Sequence, residues 1–285
     1  MKIKISMFKK TLGIVFILIA ISCQDMDTPA LGDYPVDENP VGGPLKFYVP
    51  FDDNTTDPLR FAVDNIRAKF PTSNPLPQTE GINGKGIQGE KFKYVKYTNA
   101  NDFAATAGDF TVSFWEKKGL FRTEHIFSLS AVNDYHWTGA SMFILMEGSL
   151  AEPIIKLFVK DSVGENWFEW VPWNAAGFVA GIYDGQWHHL AFSYSATTSI
   201  MTLYVDGVAR TTNQWTGHGA ISLEPSKIAA LKLGAGPQEF TTEEINGGTA
   251  DDWLKNSWTG GLDQFRLYSS ALTASEVMAL YTGKE

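Results

Sequence analysis

Residues 185–208 read GQWHHLAFSYSATTSIMTLYVDGV, and this stretch decides the fold. His188, Leu190, Phe192 and Tyr194 alternate with Trp187, His189, Ala191 and Ser193. Met201, Leu203 and Val205 alternate with Thr202, Tyr204 and Asp206. A period of two places one set of side chains on each face of an extended chain, so both runs predict half-buried strands. Asp206-Gly207 closes the second strand with a residue pair suited to a tight hairpin turn. His188 and His189 must then point to opposite faces and cannot both ligate one metal ion. No third His or Cys stands nearby in sequence to complete a zinc set.

The same alternation extends outward. Phe110, Val112 and Phe114 face one way, and Thr111 and Ser113 the other, with Trp115 packing between sheet and loops. Further strands are expected over 45–51, 86–97, 125–131, 141–147, 153–160, 166–172, 229–234 and 261–268. Roughly eleven short strands, Gly-rich connections and almost no helical periodicity predict an all-β sandwich of two sheets. One short helix is expected near the C-terminus. Thr273 and Glu276 form a capping box, Val277 and Leu280 supply an apolar stripe, and Gly283 stops it. Residues 53–85 and 210–228 read as loops, and the chain shows neither a second globular domain nor an internal repeat.

With 285 residues, 44% of them hydrophobic, the chain can bury a substantial core. Its formal net charge is −9, and setting aside Lys2, Lys4, Lys9 and Lys10 leaves −13. So acidic a body would be repelled by phosphate backbones, which argues against nucleic acid as a partner. Cys23 is the single cysteine, so no intrachain disulfide supports the fold.

The surroundings of Cys23 explain it. Lys2 to Lys10 form a positive segment, and Thr11 to Ile21 an apolar run too short for a comfortable membrane span. Ala20-Ile21-Ser22-Cys23 resembles a bacterial lipobox, although Leu is more usual where Ala20 stands. That resemblance implies a signal peptide over 1–22, cleavage before Cys23, and lipidation of its thiol. An ordinary signal peptide with an incidental cysteine is the competing reading. Residues 23–43 carry Asp25, Asp27, Asp33, Asp37, Glu38, Pro29, Pro35 and Pro40 and read as an extended acidic tether. Acids just after the cysteine resemble a surface-export signal of some Gram-negative bacteria. The expected location is therefore the outer membrane, lipid-anchored and facing outward, with the folded domain over 44–285.

Several blocks together resemble the laminin-G-like, concanavalin-A-like lectin/glucanase superfamily. They are FYVPFDDN (47–54), INGKGIQGEKFKYVKY (82–97), FTVSFWEKK (110–118), the 185–208 stretch, and GGLDQFRLYSSALTASEVMALYTG (260–283). They fall in the family's order and span nearly the whole folded part. The resemblance implies a jelly-roll of two curved antiparallel sheets with one short C-terminal helix. It also implies a binding or adhesion module, often for carbohydrate, and often a structural calcium between the first and last strands. Asp263 would share a face of strand 261–268 with Phe265 and Leu267, where a buried carboxylate needs a compensating partner. Asp52, with Asp53 and Asn54 beside it, would complete an oxygen-rich calcium site. A salt bridge or a hydrogen-bonded Asp at the sheet edge is the alternative.

Some relatives of this sandwich are glycoside hydrolases, which need two carboxylates flanking the scissile bond. The Glu-x-Asp-x-(x)-Glu run of the laminarinase-like branch is missing, as are a Gly-x-Ser-x-Gly elbow, a nucleotide loop and His-Glu-x-x-His. Nine tryptophans point instead to binding. In the run 166–173, Trp167, Glu169, Val171 and Trp173 would share one face of a strand, and loop 133–137 contributes Tyr135 and Trp137. Aromatic faces beside carboxylates suit sugars, whose C–H faces stack while their hydroxyls need acceptors. Trp215, with His218, is a weaker candidate. The sequence is thus read as a non-catalytic cell-surface lipoprotein that captures a glycan, accessory to an outer-membrane uptake complex. A protein-binding adhesion scaffold and a glycoside hydrolase are the competing readings.

Overall fold

The computed structural model describes residues 43–52, 75–98, 100–131, 139–161, 167–170, 179–240, 242–247 and 256–284, all within one compact unit, Asn39–Glu285. Among these residues, fourteen strands form two antiparallel sheets. The eight-stranded sheet runs β12 (Val208–Gln214), β11 (Ile200–Val205), β10 (Trp187–Ser195), β5 (Phe110–Lys117), β14 (Gly261–Tyr268), β3 (Lys85–Gln88), β2 (Gln78–Glu80), and β1 (Leu45–Val49) also pairs with β14. The six-stranded sheet runs β4 (Val95–Tyr97), β13 (Ile228–Leu233), β6 (Glu124–Ala131), β7 (Met142–Gly148), β8 (Pro153–Lys160), β9 (Trp167–Trp170).

The alternation seen in the sequence sets the inner faces. Leu190 lies opposite Phe114, and Phe192 opposite Val112, and all four are fully buried. From the other sheet come Phe127, Leu129, Ile144, Leu157 and Leu231. Phe265 of β14 meets Phe127 of β6 with ring centroids 5.0 Å apart, so the two layers close on one continuous core. Each such side chain gains about 1.5–3 kcal/mol from leaving water.

The outer face of the eight-stranded sheet is also buried over β1, β14, β10 and β11, which an alternating pattern alone does not predict. The C-terminal helix α3 (Ala274–Gly283; α1 is Phe103–Thr106 and α2 is Thr242–Gly247) covers it through Val277, above Tyr48, Ala191, Tyr204, Tyr268 and Leu272. Trp115 stacks on Tyr281 of this helix, 5.5 Å between centroids, so a helix covers it where loops were expected. The strap leading into the helix is pinned by polar residues of the same face: Leu272 N donates to Thr111 Oγ1, and Ser193 Oγ donates to Leu272 O. Thr273 and Glu276 form the predicted capping box. The helix ends one residue later than expected: Gly283 is its last residue, and Lys284, with φ 53°, is the left-handed cap.

Three sequence expectations change. The run 86–97 is not one strand. β3 belongs to one sheet and β4 to the other, and the chain crosses between them at 89–94. Gly89 sits at the crossing because a Cβ there would stand 2.1 Å from the carbonyl oxygen of Trp258. Second, β2 and β12 occupy segments expected to be loops. Both are polar edge strands with little burial, so they lack the apolar alternation that betrays a strand. Third, a bulge in β14 between Asp263 and Arg266, with Gln264 at φ 47°, breaks the alternation. Leu262, Phe265 and Leu267 all join the core, while Asp263 lies opposite Trp115 on the other face. Asp263 therefore does not share a face with Phe265 and Leu267.

Candidate functional site

The bulge delivers Asp263 to the β2–β3 turn. Its Oδ2 accepts from Ile82 N at 2.8 Å and its Oδ1 from Gln264 N at 2.7 Å. Asp52 reaches the same turn, accepting from Lys85 N at 2.7 Å. Gly84, at φ 67°, lies so close that a Cβ would stand 2.2 Å from Asp52 Oδ1, and one on Gly81 would stand 2.3 Å from Asp263 Oδ2. Burial pushes the Asp263 carboxyl up to about 7; the backbone N–H groups oppose this, and the charge of Asp52 adds to it. The structure thus brings together the two residues expected to hold calcium. They fit a hard cation in chemistry, being two carboxylates wrapped on one turn with repulsion for a cation to relieve. Among the described residues, no group of three or more His, Cys, Asp or Glu side chains converges on a metal position.

At the same end of the sandwich, His188 is held by two carboxylates. Its Nδ1 lies 2.9 Å from Asp206 Oδ2 and its Nε2 3.1 Å from Asp184 Oδ1, and Asp206 Oδ1 also accepts from His189 N. The hydrogen bond to Asp206 leads the effects that push His188 up to about 9, so it is a cation that ties the β11–β12 turn to the start of β10. His189 points the other way, as expected, with Ser113 Oγ at 2.8 Å from its Nε2 and Trp115 beside it; burial pulls it down to about 3. Opposite His188 stands Glu116, fully buried, its two carboxyl oxygens without hydrogen-bond partners among the described residues. Beside it the buried Lys118 pairs with Glu124 and donates to Thr259 Oγ1. Glu116 and Glu124 are 0% and 2% exposed, so no sugar reaches these two carboxylates as a catalytic pair would require.

At the opposite end lies Trp215. Its indole is stacked on His218, 3.5 Å between centroids and 5° from parallel. Buried Asp161 holds the imidazole at 2.7 Å and also accepts from Ser222 N. The His218 ring blocks ligand stacking on that side of the indole, and Trp215 packs against the main core as well. Asp161 follows directly on Lys160, which pairs with Trp167 of β9; Phe158 pairs with Glu169. The backbone therefore gathers Trp215, Trp167 and Glu169 at or near one end of β8. Cys23, Tyr135, Trp137 and Trp173 lie outside the described residues.

This sandwich, with its pinned C-terminal helix, can be compared with known proteins. Residues 89–278 match the Laminin_G_3 model of the concanavalin A-like lectin/glucanases superfamily. The chain belongs to that family. No curated protein matches the sequence. Among solved structures, the binding domain of Paraclostridial Mosquitocidal Protein 1 matches with a TM-score of 0.52 at 16% identity, over 85% of this chain and 52% of that one. The CBM40 of the Ruminococcus gnavus IT-sialidase, solved alone and with α2,3 sialyllactose, matches at 0.50 and 11%, over 72% and 98%. Domain 4 of AbnA, a GH43 arabinanase from Geobacillus stearothermophilus, in complex with arabinotriose, matches at 0.45 and 16%, over 76% and 84%. At these identities the first two likenesses show the fold of this Laminin_G_3 chain. Those two are a binding domain and a CBM40, and the superfamily's name also covers glucanases.

Proposed function

We propose that this chain is a non-catalytic module that captures a glycan at the cell surface, anchored by lipid on Cys23 and accessory to an outer-membrane uptake complex. The observation that carries the reading is the rigid two-sheet frame. One end of its six-stranded sheet gathers the Trp215 loop, fixed by Asp161, and the backbone of strand Trp167–Trp170. A stiff sandwich presenting aromatic residues at one end binds without covalent chemistry: rings cover the C–H faces of sugars and polar groups fix the hydroxyls. The sealed position of Glu116 and Glu124 supports a non-catalytic role for those two acids. A calcium ion held by Asp52 and Asp263 belongs to the same proposal, as a brace between the turn at 81–84 and β14. It would neutralise two neighbouring carboxylates and take no part in a reaction. The test is a glycan array probed with the folded protein, with and without calcium. Saturable binding without released oligosaccharides is the expected result. A blank array rejects glycan capture in favour of a protein-binding scaffold, and released oligosaccharides reject the non-catalytic assignment.

A further inference from the structure

The outer face of the six-stranded sheet carries a polar-aromatic cluster that no sequence motif singled out. On β4 and just before it, Val95 and Tyr97 turn to the core, while Lys96 lies opposite Lys232 of β13 and Tyr94 sits beside that pair. Lys232 is fully buried on this face. It donates to the carbonyls of Pro237 and Gln238 at 3.1 and 3.2 Å, pairs with Glu239 at 2.8 Å, and lies 5.1 Å from the centre of the Tyr94 ring. The segment 235–240 is pressed onto the sheet there: a Cβ on Gly236 would stand 2.7 Å from the His125 ring. So pinned, the segment delivers Glu239 and Phe240 to the edge of β4.

The rings and the acid are held in fixed positions. Phe240 packs edge-to-face against Tyr94 at 5.6 Å and against the buried Phe92 at 5.3 Å. The Tyr94 hydroxyl donates to Glu239 Oε2 at 2.5 Å, and Lys96 reaches Glu239 Oε1 at 3.6 Å. Burial raises the Glu239 carboxyl, but the bonds from Lys232 and Tyr94 outweigh it and hold it below its ordinary value, so it is an ionised acceptor at neutral pH. Tyr94, Glu239 and Phe240 are each half-buried, and Lys96 is exposed. Part of each ring and of the carboxylate therefore faces water from a rigid base.

From this arrangement we infer that the Tyr94–Glu239–Phe240 cluster at the β4 edge is a binding site for a neutral, hydroxyl-rich saccharide. The inference rests on the glycan-capture reading and moves the contact from the tryptophan segments to this face. Partly exposed rings give a stacking surface, the braced carboxylate accepts sugar hydroxyls, and the Lys96 ammonium donates to sugar oxygens. Charge selects the class. Lys93 pairs with Glu90, and Lys96 and Lys232 share Glu239, so these lysines are engaged within the patch itself. Lysines engaged in this way, on a chain of net charge −9, attract a polyanion only weakly.

The test uses the full-length protein and measures affinity for laminarin, xylan, arabinan and mannan, with alginate and polygalacturonate as acidic probes. At least one neutral polysaccharide should bind with little change between low and high salt. Phe240→Ala should weaken that binding by roughly 3- to 10-fold through lost ring contact. Glu239→Gln should weaken it by about tenfold or more through loss of a charge-assisted acceptor. Lys96→Ala, which removes an exposed side chain and its surface pair with Glu239, should weaken it by about 2- to 5-fold and shift the melting temperature little. Unchanged affinity in all three variants, with loss in Trp137→Ala or Trp167→Ala, overturns this site and leaves glycan capture standing. Binding confined to the acidic probes and abolished by salt overturns the neutral class. A folded protein that binds none of the six overturns both the site and the reading beneath it.

Discussion

Glu116 offers the sharpest check on the energetics of this fold. It is fully buried at the end of the core, opposite His188 and Leu262, and both of its oxygens lack hydrogen-bond partners among the described residues. Burial raises its carboxyl well above the ordinary value; His188 and Lys118 oppose this, and Asp184 and Asp206 reinforce it. A folded-state value above the unfolded one means that the folded protein binds a proton the unfolded chain gives up. Stability is then undiminished below the unfolded value of about 4.5 and falls as pH rises from there towards the folded value. Two substitutions separate the contributions. Glu116→Gln removes the ionisation but keeps a buried polar group, so it should match the native protein at pH 4 and exceed it at pH 8. Glu116→Met also removes the unpartnered polar atoms, a gain of about 1–3 kcal/mol at either pH. For a domain of this size that is roughly 2–12 °C in melting temperature, read by calorimetry at pH 4 and pH 8. If Glu116→Gln proves less stable than the native protein at pH 8, the carboxylate is ionised and paired with His188 or Lys118, and the reasoning fails.

Three further outcomes are expected. Asp206→Asn should cost about 1 kcal/mol at pH 7, because it removes the carboxylate holding the protonated His188. Since His188 is raised to about 9, that contribution is complete below its unfolded value of 6.5 and fades through pH 9, so denaturant midpoints of the two proteins should converge at pH 10. Gly89→Ala should destabilise by about 1–3 kcal/mol or prevent folding, since its Cβ meets a backbone oxygen at 2.1 Å; soluble yield and urea midpoint report it. Calcium should raise the melting temperature of the native protein at pH 8 and leave Asp263→Asn unmoved. An equal shift in both would remove Asp263 from the cation site.

The alternation of Phe110, Val112 and Phe114 and of Leu190, Phe192 and Tyr194 was enough to place these side chains in a core between two sheets. A side-chain period of two follows from the extended backbone itself and needs no knowledge of neighbours. The capping box at Thr273 and Glu276 was legible for the same reason, because its partners lie three residues apart. The opposed directions of His188 and His189 were equally local. What tertiary structure decided is the non-local part. The β14 bulge turned Asp263 away from the core and onto the β2–β3 turn, and a single extra residue in a ladder leaves no mark in composition. The split of 86–97 between two sheets depends on Trp258, far along the chain, lying against Gly89. Tyr94 and Glu239 are separated by 145 positions and meet only because Lys232, on the strand next to β4, folds the 235–240 segment back over the sheet. Where a strand runs without a bulge, the alternation in the sequence decides which face each side chain takes. Which strands become neighbours, and so which distant side chains share a surface, is settled when the whole core closes.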